Sequence, residues 1–451
     1  MLRPISPITI LGCSAIVASA QIAMVQPSLA QSLDRIQQTA QQITVKIEAE
    51  RPSSGVLISR KGDPAQGYLY TILTTRHGVR VEDRYTILTP DGQRHPVEWR
   101  SIQPLPTLDL AIVQFKSDRH YHIAQLAPYT PKPGQPLLLA GWPQPPSPPL
   151  PPPLTLTLGS TLPSDQAIPW AIDPLSQGYR LFYTNLAQAG MSGGAILDTA
   201  GQVVGIHGRS EGEELQKNQG QLVRLRLGYS SGISIRTLLQ HQPRLGLQLG
   251  WQTSNQLPQK LTPADQNIAQ QWTKALIEPP PEPATAIDWA NYANTLYRLG
   301  RLPEALAALD RALALDFSAA PLWYAQGTLL HSLGRAQEAI NSFDRASQLQ
   351  PQLSRAWQGK AIALLSLNRP VEAVGALDQA LQVNPQNYVA YYLRAKVLSQ
   401  RLNQPQAALA DCDRALQLQP DFPEVWLLKS QVLQKLGRHQ EAKKAIEAAQ
   451  Q

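Results

Sequence analysis

The chain has 451 residues, a length that calls for more than one domain. An apolar fraction of 43% is ample for packed cores, 16% of residues are charged, and 39 are proline. The net charge of +7 is spread without a dominant Lys/Arg cluster. It supports weak attraction to an anionic surface and argues against nucleic-acid binding.

Residues 1–30 read as a targeting segment. Arg3 gives a positive start, 8–25 is mostly apolar, and Ser28-Leu29-Ala30 sets small residues before Gln31. Removal gives an exported protein, periplasmic or secreted. Retained, the run approaches spanning length and anchors the chain to a membrane. Ile10-Leu11-Gly12-Cys13 faintly resembles a lipoprotein cleavage box but lies too early in the run. Without this segment Cys412 is the only cysteine, so packing alone must hold the protein together. Cys412, on a helical pattern among Ala and Leu, reads as a core residue.

Residues 31–42 form a short polar lead-in of helical character. Alternating, β-branched runs then predict strands at 43–47, 55–59, 67–74, 85–88, 97–99 and 110–115, with Asp91-Gly92 as a hairpin turn. A strand at 137–141 opens a second set, followed by 154–158, 179–183, 203–208 and 232–235 and a short helix at 236–240. Between them, 142–154 is mostly proline and must run extended, as a surface loop or a rim beside a cleft. Residues 211–221 are polar and read as a loop. Many short strands with Gly/Pro turns suggest a barrel or sandwich.

Three stretches carry chemistry. Gly190-Met191-Ser192-Gly193-Gly194 sets a serine between glycines before an apolar run, a turn that can expose a hydroxyl. It can also aim the amides of Gly190 and Ser192 at one point, as an oxyanion hole. Tyr70-Thr71-Ile72-Leu73-Thr74-Thr75-Arg76-His77 is a β-type run ending in histidine, and Asp109 stands at the mouth of Leu110-Ala111-Ile112-Val113. The order His77, Asp109, Ser192, with gaps of 32 and 83 residues, resembles the trypsin-like (chymotrypsin-fold) serine peptidases over roughly 40–240. The resemblance implies two six-stranded barrels with a catalytic triad in the cleft between them. It implies an exported serine endopeptidase that needs no cofactor and acts on a protein or peptide. A non-catalytic peptide-binding scaffold is the alternative.

Two departures bear on activation and specificity. Met191 stands where trypsin-type members carry the aspartate that pairs with a new N-terminus, so activation by N-terminal insertion is not expected. Leu186, six residues before Ser192, replaces the acid of the trypsin-type pocket and disfavours Lys/Arg selectivity. His207 in Gly205-Ile206-His207-Gly208 resembles the pocket histidine of bacterial glutamyl endopeptidases. It would hold an acidic side chain, or else be a neutral strand residue in a pocket for small or apolar side chains. The histidines show no metal-ligand spacing beyond His120-Tyr121-His122, which reads as a surface turn, so no metal is expected.

From 241 to 285 the composition shifts, with a helix expected at 264–277 and a stiff Pro-rich linker at 279–283. After it the sequence repeats with a period of 34. Trp289, Trp323, Trp357 and Tyr391 keep that spacing, and Trp426 follows 35 later. Ala305, Ala339, Ala373, Ala408 and Ala442 mark a second fixed place, and Ala312, Ala346, Ala380, Ala415 and Ala449 a third. This pattern resembles five tetratricopeptide repeats over 286–451, an all-α solenoid fused to the all-β double barrel. The resemblance implies a protein partner in the concave groove. By repeat register that groove is lined by Asn294, Tyr297, Tyr324, His331, Tyr392 and Lys396.

Overall fold

The computed structural model describes residues 31–80, 84–97, 99–144, 153–170, 173, 175–210, 214–218, 221–226, 228–245, 250–274 and 277–450. The targeting segment, with Cys13, and residues 145–152 of the Pro-rich stretch lie outside the described residues.

The lead-in is helix α1 (Gln31–Ile43). Its Leu33, Ile36, Ala40 and Ile43, spaced to one face, are buried in the β domain. The first sheet holds β1 (Thr44–Glu48), β2 (Ser53–Asp63), β3 (Gly67–Thr75), β4 (Tyr85–Leu88), β5 (Arg94–Val97), β6 (Gln103–Pro104) and β7 (Leu110–Ser117). Its order is β5-β4-β1-β2-β3-β7-β6, and among the described residues no hydrogen bonds join its two ends. The second sheet holds β8 (Gln125–Leu126), β9 (Pro136–Gly141), β10 (Thr155–Leu162), β11 (Leu181–Tyr183), β12 (Ala195–Leu197) and β13 (Val203–Ser210), then β16 (Ser230–Ser234) and β17 (Gln252–Thr253). In the order β12-β9-β10-β11-β16-β13-β8-β17 the added pairing of β12 with β13 closes a ring of six strands. One closed barrel therefore faces an open, half-barrel sheet, where the resemblance implied two closed barrels.

Residues expected to form a polar loop instead make a hairpin of β14 (Glu214–Asn218) and β15 (Gln221–Leu225). The supposed linker is partly core as well. After α2 (Ser164–Ala167) and α3 (Ile235–Leu245), helix α4 (Pro263–Lys274) buries Ala269 in the same cluster as α1 and the barrel.

The repeats form five helix pairs. They are α5 (Ala286–Arg298) with α6 (Leu302–Leu315), α7 (Ala320–Ser332) with α8 (Ala336–Leu349), and α9 (Ser354–Ser366) with α10 (Pro370–Val383). The last two are α11 (Tyr388–Gln400) with α12 (Pro405–Leu418) and α13 (Pro423–Lys435) with α14 (His439–Gln450). Ala305, Ala339, Ala373 and Ala408 are fully buried where paired helices touch. The periodic tryptophans tie down the preceding loop: Trp323 and Trp426 donate to the carbonyls of Phe317 and Pro420 at 2.9 Å. Cys412 is buried, as expected.

Described residues of the chain's own segment between β10 and β11 dock on the inner helices α7, α9 and α11 of this solenoid. Trp170 lies 5.3 Å from the His331 ring and 6.2 Å from Phe343. Gln358 donates to the Pro169 carbonyl. The Tyr388 hydroxyl donates to Asp173 Oδ1 at 2.8 Å and accepts from the Leu175 amide at 3.2 Å. Asn294, Tyr297 and Tyr324 line a pocket with Trp170, and His331 and Lys396 line a cavity of about 550 Å³ with Asp165. Tyr392 packs on Phe422 at 5.2 Å. Arg298 donates from α5 to the Gly228 carbonyl at 2.6 Å, binding the repeats to the barrel.

Candidate active site

A cleft of about 670 Å³ lies between the two sheets. It is lined by His77, Asp109 and Ser192, together with Gly190, Ala187 and His207. His77 opens a short helical turn just past β3, and Asp109 immediately precedes β7. Because β3 and β7 are antiparallel neighbours with Thr75 opposite Leu110, the two side chains meet at one sheet end. His77 Nδ1 lies 2.6 Å from Asp109 Oδ2, and the His77 amide donates to Oδ1 at 2.9 Å. A carboxylate only accepts, so Nδ1 carries a proton, and in the neutral ring Nε2 is the nitrogen left with a lone pair. Burial pushes the Asp109 carboxyl up, but hydrogen bonds from His77 and Tyr179 outweigh it and hold the group below its ordinary value. The His77 side chain is 39% exposed, and that of Asp109 is 6% exposed. One group faces the cleft and the other its wall.

The serine loop is braced from behind. Ser54 of β2 donates its amide to the Ser192 carbonyl at 2.8 Å and its hydroxyl to the Gly190 carbonyl at 2.9 Å. The Gln144 amide donates to the Ala189 carbonyl at 2.6 Å. Three loop carbonyls are thus occupied, while among the described residues the amides of Gly190 and Ser192 donate to no protein acceptor. In a trans peptide the N–H points opposite to the C=O, so tying back the Ala189 carbonyl turns the Gly190 N–H the other way. Gly193 has φ +87, and a Cβ there would stand 2.0 Å from the Ser54 carbonyl oxygen. Only glycine lets the loop approach β2 this closely. Met191 is fully buried, packed against Gly141 and the barrel core. An apolar plug thus fills the place where an ion pair would be needed. The Ser192 hydroxyl donates to the Gly208 carbonyl at 2.9 Å rather than to His77.

His207 lines the cleft from β13 but is 2% exposed. Its Nδ1 lies 2.5 Å from the Tyr183 hydroxyl. Burial, then the Arg298 and His77 charges, push the imidazole down to about 3, so it is neutral at ordinary pH. Leu186 does not line the cleft. It is buried, and its carbonyl accepts from Thr157 at 2.9 Å, leaving neighbouring Ala187 as the wall.

The structure thus brings His77, Asp109, Ser192, Gly190 and His207 to one cleft and sets Leu186 behind it. Sequence reasoning missed Ser54 and Tyr179. A serine in a strand and a tyrosine in an apolar run carry no signal of their own, because both act through long-range contacts. His120 and His122 flank Tyr121, whose amide donates to the Tyr70 hydroxyl at 2.8 Å. Among the described residues no group of His, Cys, Asp and Glu is placed to hold a metal ion.

The family model for the trypsin-like peptidase domain matches residues 53–206. Tetratricopeptide repeat models match 292–354, 330–397 and 399–451. No curated protein matches the chain. Among solved structures the chain is similar to a fragment of MamA from Desulfovibrio magneticus RS-1 (22% identity, TM-score 0.34, covering 37% of this chain and 93% of that one). It is also similar to YrrB, a tetratricopeptide protein with an unusual peptide-binding site (23% identity, TM-score 0.31, covering 36% of this chain and 84% of that one).

Proposed function

We propose that this chain, a trypsin-like peptidase domain followed by tetratricopeptide repeats, is an exported serine endopeptidase. The observation that carries the reading is the convergence of an Asp109–His77 pair with a serine loop whose carbonyls are tied back and whose Gly190 and Ser192 amides donate to no acceptor among the described residues. Ser192 turns from the Gly208 carbonyl toward His77 Nε2, which takes its proton as the hydroxyl oxygen attacks the substrate acyl carbon. Asp109 fixes the tautomer and stabilises the imidazolium, and the proton then passes to the leaving amine. The amides of Gly190 and Ser192 receive the oxyanion, at roughly 3 kcal/mol per donor. Buried Met191 supports a loop formed without N-terminal insertion.

A neutral His207, held by a tyrosine rather than a carboxylate, gives no charge to attract an acidic side chain. The pocket is therefore suited to small or apolar residues. The targeting pattern of residues 1–30 supports a periplasmic or secreted location. The repeats serve protein or peptide recognition, and their first ligand is the peptidase domain itself. One observation favours the scaffold reading: the Ser192 hydroxyl is not on His77. Digestion of a peptide library decides between them. Cleavage present in the unaltered chain and lost in Ser192→Ala supports the peptidase, and no cleavage in either supports the scaffold.

A further inference from the structure

Tyr179 is fully buried two residues before β11. Its hydroxyl donates to Asp109 Oδ2 at 2.6 Å, onto the same oxygen that takes the His77 Nδ1 proton. The Arg209 guanidinium lies 4.2 Å from the centre of the tyrosine ring and covers it. The space for that ring exists because residue 208 is glycine. A Cβ there would stand 1.9 Å from Tyr179 Cε1 and 2.2 Å from its hydroxyl oxygen. The Gln177 carbonyl, two residues earlier, accepts the Asp109 amide at 3.0 Å. This short stretch therefore holds the aspartate by both backbone and side chain.

The same stretch is the end of the segment that the repeats grip. Leu175 is bound through its amide by Tyr388 and through its carbonyl by Gln419 at 3.3 Å. Three residues separate that grip from Tyr179. We propose that Tyr179 is a positioning residue that fixes Asp109 against His77, and that the concave groove of the repeats holds Tyr179 in place. The proposal rests on the peptidase reading for its kinetic consequences but not for its geometry.

The titratable groups facing this pair are His77 and Tyr179 on Asp109, Arg209 and Tyr183 on Tyr179, and His207 across from His77. Burial and the Asp109 charge hold the Tyr179 hydroxyl well above its ordinary value, so it stays a donor. A donor on the carboxylate draws off part of its negative charge. Losing it leaves more charge to stabilise the His77 imidazolium, so the His77 titration moves to higher pH.

The test follows His77 by NMR of imidazole-labelled full-length chain, with Ser192→Ala as background so that turnover plays no part. Tyr179→Phe is expected to move the His77 titration upward, and an unmoved titration overturns the proposal. In the chain with Ser192 intact, Tyr179→Phe should lower kcat about tenfold with KM nearly unchanged. A change confined to KM also overturns it. If Tyr179→Phe fails to fold, fluorotyrosine at position 179 keeps the ring and hydroxyl but makes a stronger donor. It should move the His77 titration the opposite way, and no shift counts against the role. Tyr388→Phe with Gln358→Ala should shift the titration in the same direction as Tyr179→Phe, and no shift removes the groove from the proposal. Absent cleavage by the unaltered chain fails the peptidase reading alone, because the titration still reports on Tyr179.

Discussion

One cleft holds two histidine sites, and they are opposites. His77 is half-exposed and leans on an ionised carboxylate. His207 is buried and leans on a tyrosine hydroxyl. Both rings follow β-type runs in the sequence, so the local pattern does not separate them. The partner and the degree of burial decide which ring can accept a proton in use and which stays neutral.

The largest effect should come from breaking the first site. Asp109→Asn keeps the shape but favours the wrong His77 tautomer, and kcat should fall by about 10⁴-fold with the fold intact. Peptide hydrolysis beside a circular dichroism spectrum checks this, and a loss under tenfold would give both histidines the same standing.

The second site should show itself in acid stability. The His207 value, about 3 in the folded chain, lies below the ordinary 6.5. Its neutral form is therefore favoured by folding, and its contribution is complete above pH 6.5. That contribution is lost as pH falls from 6.5 toward 3, by about 1.4 kcal/mol per unit. The lowered Asp109 value acts in the same direction, but only below about pH 4. Urea melts at pH 6.5 and 4.5 should show this loss in the unaltered chain and a flatter dependence in His207→Gln. Equal slopes would mean that His207 is not held neutral by burial.

A smaller change is expected for Tyr183→Phe, which strands the His207 Nδ1 and should cost about 1 kcal/mol at neutral pH. The smallest concerns substrate choice. A cleavage profile over a peptide library should show no enrichment of Glu or Asp at the cleaved position, and strong enrichment would mean that His207 carries charge in the complex.

Much of this was legible in the sequence. The triad order, the glycines around Ser192 and the 34-residue period each have a local signature, and the β domain and five helix pairs follow from them. What was not legible is long-range. Closure of the second barrel depends on β12 pairing with β13, the brace of the serine loop on Ser54, and the occupied groove on Trp170 docking 161 residues before His331. The polar stretch at 211–221 read as a loop because it lacks apolar alternation. It pairs as a hairpin, whose β15 has Leu225 buried in the cluster that includes the repeat core. Counting back from Ser192 finds the position of Leu186 in the chain but not the turn that sets Ala187 in front of it.

Labelling of the purified full-length chain with a fluorophosphonate probe, beside Ser192→Ala, tests the catalytic reading most directly. Labelling of the unaltered chain and none of the variant is the expected result. It would show that Ser192 leaves the Gly208 carbonyl for His77 and reacts. No labelling of either would contradict it and leave the cleft a binding site.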